Sequence, residues 1–124
     1  MAAWTVGELE AIGGAFELRV ATRRADGSLR RSVTTWIVRV GDDLFVRSVN
    51  GRGAAWFRGV QRRHEGRVAG GGLERDVAFQ ETDERSDEID AAYRAKYRSS
   101  PGAVGHITRP AATAATLKLL PLGD

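Results

Sequence analysis

The chain contains no cysteine in its 124 residues, which excludes a disulfide, a thiolate nucleophile and a thiolate-bound zinc site. Only two histidines are present, His64 and His106, too far apart in sequence to suggest a metal cluster. No resident metal is therefore expected. Lysine is scarce as well, limited to Lys96 and Lys118, so arginine carries the basic charge. No apolar run approaches the length of a bilayer span, and no membrane association is expected. The opening Met1-Ala2-Ala3-Trp4 lacks the basic and apolar regions of a secretory signal, which makes the cytoplasm the expected compartment. No Walker-type loop or recognisable catalytic triad is written in the chain.

What is present describes an ordinary globular protein. The hydrophobic share of 42% and charged share of 28% support one domain over residues 1–124 with a true core. The formal charge of +3 is mild, and arginines alternate with acids along the chain rather than gathering in one basic block. That pattern speaks against nucleic acid as a partner.

The segment Leu44 to Arg62, LFVRSVNGRGAAWFRGVQR, carries the strongest chemical signal. A β-rich run passes through Asn50-Gly51-Arg52-Gly53 into a short helical stretch. Glycines let backbone approach a ligand, a helix start offers unpaired N–H groups, and arginines supply charge. Arg47, Arg52, Arg58 and Arg62 crowd this stretch, with Arg58 and Arg62 on one side of the helix opposite Val60, and a small anionic ligand is the expected partner. A solvated face is the competing reading of the same arginines. Trp36 and Trp56 would flank a planar ring or pack in the core, and the core is favoured for both. His64 and His106 read as loop residues, since neither has an orienting partner nearby in sequence.

The periodicity gives an element order. Residues 5–14 predict a helix with Thr5 as N-cap, Glu8 in capping-box position and Gly13-Gly14 as its stop. Phe16, Leu18 and Val20 alternate as a strand, and Asp26-Gly27 turns it into a hairpin with residues 32–40. That second strand is apolar on both faces, which places it in the middle of a sheet and suits burial at a subunit interface. Gly41-Asp42-Asp43 returns the chain into residues 44–50, followed by the short helix, a third hairpin over 67–69 and 73–80, a helix over 83–99, a loop with Pro101, His106 and Pro110, and a last strand over 116–120. In the long helix Ile89, Ala92, Tyr93 and Tyr97 form the buried stripe, Asp90 and Arg94 pair four apart, and Lys96 snorkels to solvent. Six mainly antiparallel strands in so short a chain favour a small barrel with flanking helices, with an open α+β sheet as the alternative.

Three runs then point to a family: TTWIVRVGDDLFVRSVNGRGAAWFRG, IDAAYRAKY and ATLKLLP together resemble the domain of unknown function 2255 across nearly the whole chain. More distantly, a tryptophan-bearing strand, a Gly-Asp hairpin, a strand ending in Ser-x-Asn-Gly and a following tryptophan resemble the deazaflavin-dependent nitroreductase group. That resemblance implies the six-stranded antiparallel FMN-binding split barrel, a homodimer, and FMN or a deazaflavin in a cleft at the subunit interface. It implies Thr34 and Thr35 near the ring system and Arg47 and Ser48 near the phosphate, with Asn50, Gly51 and Trp56 continuing the match; Arg52 and Arg58 join the candidate site from the arginine-rich stretch itself and not from the resemblance. The chain departs from the nitroreductase pattern in its short GRGAA loop and in the Arg58-Gly59 that follows the aromatic pair. An oxidoreductase using that cofactor is one expectation; a ligand-binding or sensing module, or a dimeric scaffold without cofactor, is the other.

Overall fold

A computed structural model of the chain describes residues 3–123. The strands are β1 (Leu18–Thr22), β2 (Val33–Thr35), β3 (Ile37–Val40), β4 (Asp43–Arg47), β5 (Glu65–Gly70), β6 (Leu73–Glu81) and β7 (Thr116–Pro121). They form one antiparallel sheet in the order β2-β1-β5-β6-β7-β4-β3. The two end strands, β2 and β3, are separated in sequence by Trp36 alone. The sheet is thereby curled into a nearly closed, split barrel of seven strands with helices around it.

The expected six strands become seven because residues 32–40 break at Trp36. Two tyrosines cause the break. Tyr93 Oη donates to the Trp36 carbonyl at 3.2 Å, and the Ile37 N–H donates to Tyr97 Oη at 3.2 Å. The Trp36 ring stacks on Tyr97 with centroids 3.7 Å apart and planes 3° apart. Backbone groups that would continue a strand ladder are taken by side chains from a helix. The same segment is not central, as its apolar faces had suggested, but supplies both ends of the sheet. Its double-faced hydrophobicity has a local cause: Ile37 enters the barrel core, while Val38 packs outside it against Ile89, Tyr93 and Tyr97. A subunit interface is not needed to cover it.

The first helix follows from its cap. In α1 (Val6–Gly13) Thr5 and Glu8 form the reciprocal capping box, and Leu9 and Ile12 plug one end of the barrel. Its C-terminal end is held by Lys96, whose ammonium donates to the carbonyls of Gly13, Ala15 and Ile37 at 2.9, 2.5 and 2.6 Å. The snorkelling lysine is thus a cap, because three carbonyl oxygens converge on it. The helix expected over 83–99 is α3 (Ser86–Lys96), shortened at its start by Arg85 in the left-handed region at φ 61°. Ile89 and Tyr93 within it and Tyr97 at its C-cap are buried as expected, and that burial raises the Tyr93 phenol well above its ordinary pKa and the Tyr97 phenol to about 12.

The loop after α3 contains α4 (Pro101–Ile107) and α5 (Pro110–Thr113), each begun by a proline whose missing N–H costs nothing at a helix start. His106 is therefore helical. Phe16 lies before β1 with 57% of its surface exposed, outside the buried alternation of Leu18 and Val20. Among the described residues no helix is long and apolar enough to cross a membrane.

Candidate functional site

The site begins with α2 (Ala55–Arg62). Phe57, Gly59 and Val60 face the barrel, which turns Arg58 and Arg62 to the outside along one flank. Gly59 allows close approach: a Cβ there would sit 2.8 Å from Thr22 Oγ1 and 3.6 Å from Arg30 Nε. The helix can therefore lie directly over β1, and a groove of about 310 Å³ opens along its outer side.

One wall of the groove is α2, through Ala55, Trp56, Arg58 and Arg62; the other is the segment entering β2, through Arg30, Arg31, Ser32 and Val33. Val20 and Thr22 form the floor. No carboxylate lines it. Among the described residues these four guanidiniums have neither an acidic partner nor a hydrogen bond, and Arg30 Nε is buried without any partner. Several other arginines are paired with acids, although Arg19 and Arg98, which lie outside the groove, also have no side-chain partner among the described residues. Arg23 and Arg67 share Asp76, Arg52 pairs with Glu81, Arg63 with Glu65, Arg75 with Glu8 and Arg85 with Asp43. Like charges held together without counter-charge repel one another, and an anion in the groove would relieve that repulsion.

A second cavity of about 220 Å³ continues along the same strand. Thr34, Thr35 and Trp36 line it from β2, Val49 from the turn after β4, and Ala103 and Ile107 from α4. Residues 30–33 thus border the groove and 34–36 border this mostly apolar slot. Because β2 ends the sheet, its outer edge has no strand partner between the two cavities.

The structure distributes the expected site residues unevenly. Thr34 and Thr35 reach the slot, and Trp56 and Arg58 reach the groove. Arg47 is fully buried and donates to Asp90 Oδ1 at 2.5 Å, Thr116 Oγ1 at 3.0 Å and the Ile107 carbonyl at 3.1 Å, with its guanidinium 5.6 Å over the Tyr93 ring. Ser48 Oγ donates to the Gly51 carbonyl at 2.8 Å, closing a turn in which Gly51 adopts φ 82° against Ala111. Arg52 donates to the Ala114 carbonyl at 3.1 Å and covers the Phe57 ring, and Asn50 is exposed on the turn. The Arg47-Ser48-Gly51-Arg52 group is therefore spent on protein partners, and four arginines do not converge from the single stretch 47–62. Half of the basic groove comes instead from Arg30 and Arg31. Their signal was two adjacent arginines and a serine directly before a strand, written inside a hairpin connection that reads as a solvated turn.

The remaining imidazole and carboxylate groups lie elsewhere. His64 Nε2 and Glu81 Oε2 are 3.3 Å apart, a pairing that 17 residues of separation had hidden. Among the described residues no group of three or more His, Asp or Glu side chains could hold a metal ion.

Comparison with known proteins supports the architecture. The family described as uncharacterized protein conserved in bacteria (DUF2255) matches residues 8–119. Among solved structures, a FAD-binding protein from Mesorhizobium loti is 13% identical with a TM-score of 0.63, covering 98% of this chain and 93% of that one. A NimC/NimA family protein from Clostridium acetobutylicum is 12% identical with a TM-score of 0.59, covering 91% and 78%. A protein described as F420 reductase is 15% identical with a TM-score of 0.55, covering 97% of both chains. At these identities the likeness is one of fold. No curated protein matches the chain.

Proposed function

We propose that this chain, which belongs to the DUF2255 family, binds a phosphate-bearing flavin or deazaflavin, with the phosphate in the arginine groove and the ring system along β2 toward the slot. The observation that carries the reading is the set of four unpaired guanidiniums, Arg30, Arg31, Arg58 and Arg62, around one acid-free groove. Arg30 Nε is buried without a partner, and the groove face of the four guanidiniums offers donors to a phosphate. Thr22 and Ser32 add hydroxyl groups that either donate or accept.

Similarity in fold to proteins named for FAD and F420 makes these ring systems the first to try, although one fold hosts many functions. The cofactor, when bound, supplies the hydride chemistry of an oxidoreductase. The chain's part is to hold the phosphate with arginine, to seat the ring beside Thr34, Thr35 and Trp36, and to limit water on the apolar side through Val49 and Ile107. A second copy of the chain would close the open side of the slot, so the reading includes a homodimer, checked by light scattering.

A second reading has its own support. Neither cavity is lined by a histidine, aspartate or glutamate, so neither holds a side chain suited to proton transfer near neutral pH. This favours a binding or sensing module without turnover.

The test is a thermal-shift series with FMN, FAD and a deazaflavin on the native chain and on Arg30→Gln. Ligand at about 100 times its dissociation constant adds close to 3 kcal/mol and moves the midpoint by several degrees. A shift present in the native chain and lost in Arg30→Gln supports the site, and reduction of an acceptor by the loaded protein then separates enzyme from module. Equal shifts in both proteins, or none, reject it.

A further inference from the structure

A third cavity, of about 440 Å³, shares no lining residue with the arginine groove or the slot. Its floor is a row across three strands of the sheet: Phe45 on β4 pairs with Lys118 on β7, which pairs in turn with Gln80 on β6. Facing that row is the connector 82–85, which joins β6 to α3. The connector leaves β6 beside β7, where the Thr82 N–H donates to the Thr116 carbonyl at 3.1 Å, and it ends at β4, where Arg85 donates to Asp43 Oδ2 at 2.8 Å. It therefore crosses β7, the strand that carries Lys118.

The crossing is fixed in place. Among the described residues Arg85 alone, apart from glycines, adopts a positive φ, at 61°, and its guanidinium lies 5.8 Å over the Phe45 ring. A side chain persists in the left-handed region only where its surroundings determine the backbone.

The charges around this cavity are sorted by element. Of its three cationic and three acidic side chains, most are satisfied within the protein. Arg52 meets Glu81 at 3.0 Å, Glu81 also faces His64 at 3.3 Å, and Arg85 is bound to Asp43. Three charges remain. Lys118 Nζ comes no nearer to an acid than 3.5 Å, at Asp43 Oδ1, which is longer than a usual hydrogen bond. Asp83 and Glu84 have no cation within 4.0 Å among the described residues. One free ammonium thus stands on the floor beside the Gln80 amide, and two free carboxylates stand on the connector, out of ion-pair reach of it.

We propose that this cavity binds a small zwitterion. The ligand's carboxylate accepts from the Lys118 ammonium and a Gln80 amide N–H, and its ammonium or guanidinium donates to Asp83 and Glu84. A simple anion would leave the carboxylates unmatched, and a simple amine would leave the lysine so. The floor spans two interstrand spacings, about 10 Å, which suits a single free amino acid in length.

The experiment follows backbone amide NMR shifts of the full chain during titration with three matched sets at constant ionic strength: glycine, acetate and methylamine; 4-aminobutyrate, butyrate and butylamine; 6-aminohexanoate, hexanoate and hexylamine. The proteins are the native chain, Lys118→Gln, the double variant Asp83→Asn/Glu84→Gln, and Arg98→Gln as a charge control on an exposed position outside the cavity. All four altered side chains reach solvent, so native amide dispersion is expected throughout and verifies that each variant folds.

At least one zwitterion is expected to bind the native chain and Arg98→Gln about tenfold or more tighter than the carboxylate and the amine of its own set, with shifts at residues 80–85 and 118. Lys118→Gln and the double variant should each lose that advantage. No zwitterion bound in the low-millimolar range overturns the proposal. So does a carboxylate or an amine that binds as well as its zwitterion, which would mark attraction to one sign of charge, and so does an advantage that survives in either cavity variant.

Discussion

Arg47 on β4 and Asp90 on α3 meet at 2.5 Å with the arginine side chain wholly enclosed, so the barrel wall and its outer helix are joined by an ion pair in the interior. Asp90 had been expected to serve Arg94 on its own helix, a contact that is only 4.0 Å. Burial explains the choice: an enclosed guanidinium needs a full counter-charge, whereas exposed Arg94 is served by water. Asp90→Ala is expected to cost about 3–5 kcal/mol, because it strands the Arg47 charge inside the protein. Asp90→Asn, which keeps an acceptor, should lose less. Urea denaturation of the three proteins checks the order, and a near-neutral Asp90→Ala would refute the buried pair.

The groove arginines should behave in the opposite way. Arg58 and Arg62 have no partner among the described residues, so Arg58→Gln and Arg62→Gln should leave stability within about 0.5 kcal/mol of the native chain or raise it by relieving repulsion. Arg52→Gln, which removes ties to Glu81 and the Ala114 carbonyl, should destabilise. Thermal unfolding without ligand compares them. A marked loss in the groove variants would show those side chains to be structural.

Gly59→Ala sets two effects against each other. Alanine favours a helix by about 1 kcal/mol over glycine, but this Cβ would press on Thr22 Oγ1 from 2.8 Å, and overpacking costs about 1–3 kcal/mol. A net loss is expected. Adding Thr22→Ala should recover it, since the clashing atom is then gone, and a double-mutant cycle on denaturation midpoints measures the coupling. Additive effects would place the clash elsewhere.

Asp76 links stability to acidity. Its carboxylate accepts from Arg67 Nε and from an Arg23 guanidinium nitrogen, both at 3.0 Å, and these partners, Arg67 foremost, hold its pKa below the ordinary 3.8. A depressed folded-state pKa contributes stability that is present above pH 3.8 and is lost as pH falls through the lower folded value. The site is partly solvated, so the contribution is at most about 1 kcal/mol. Asp76→Asn should therefore be slightly less stable at neutral pH, and the gap should close under acid. A gap that persists at low pH would assign the loss to geometry instead of charge.

Much of the fold was legible because its signals are local. The Thr5–Glu8 capping box, the three hairpins and the Ile89-Tyr93-Tyr97 stripe depend on neighbours within a few residues, and the structure contains them all. The seventh strand was not legible, because the break is made by Tyr93, 57 residues from Trp36, and Tyr97, 60 residues from Ile37. Nor was the role of Lys96, which waits on three carbonyls, those of Gly13 and Ala15 at the end of α1 and of Ile37 at the start of β3.

The arginines divide on the same principle. The sequence by itself determined that this protein handles charge with arginine, that cysteine chemistry is absent, and that a helix begins after Gly51 with Arg58 and Arg62 on one flank, since composition and helical period need no partner to be read. Only the tertiary structure decided which arginines are free. Arg47 was drawn inside by Asp90 and Thr116, while Arg30 and Arg31 were brought against α2 by the pairing of β1 with β2. A guanidinium is spent or available according to what the fold sets within about 3 Å of it, and that distance is a property of the packed chain.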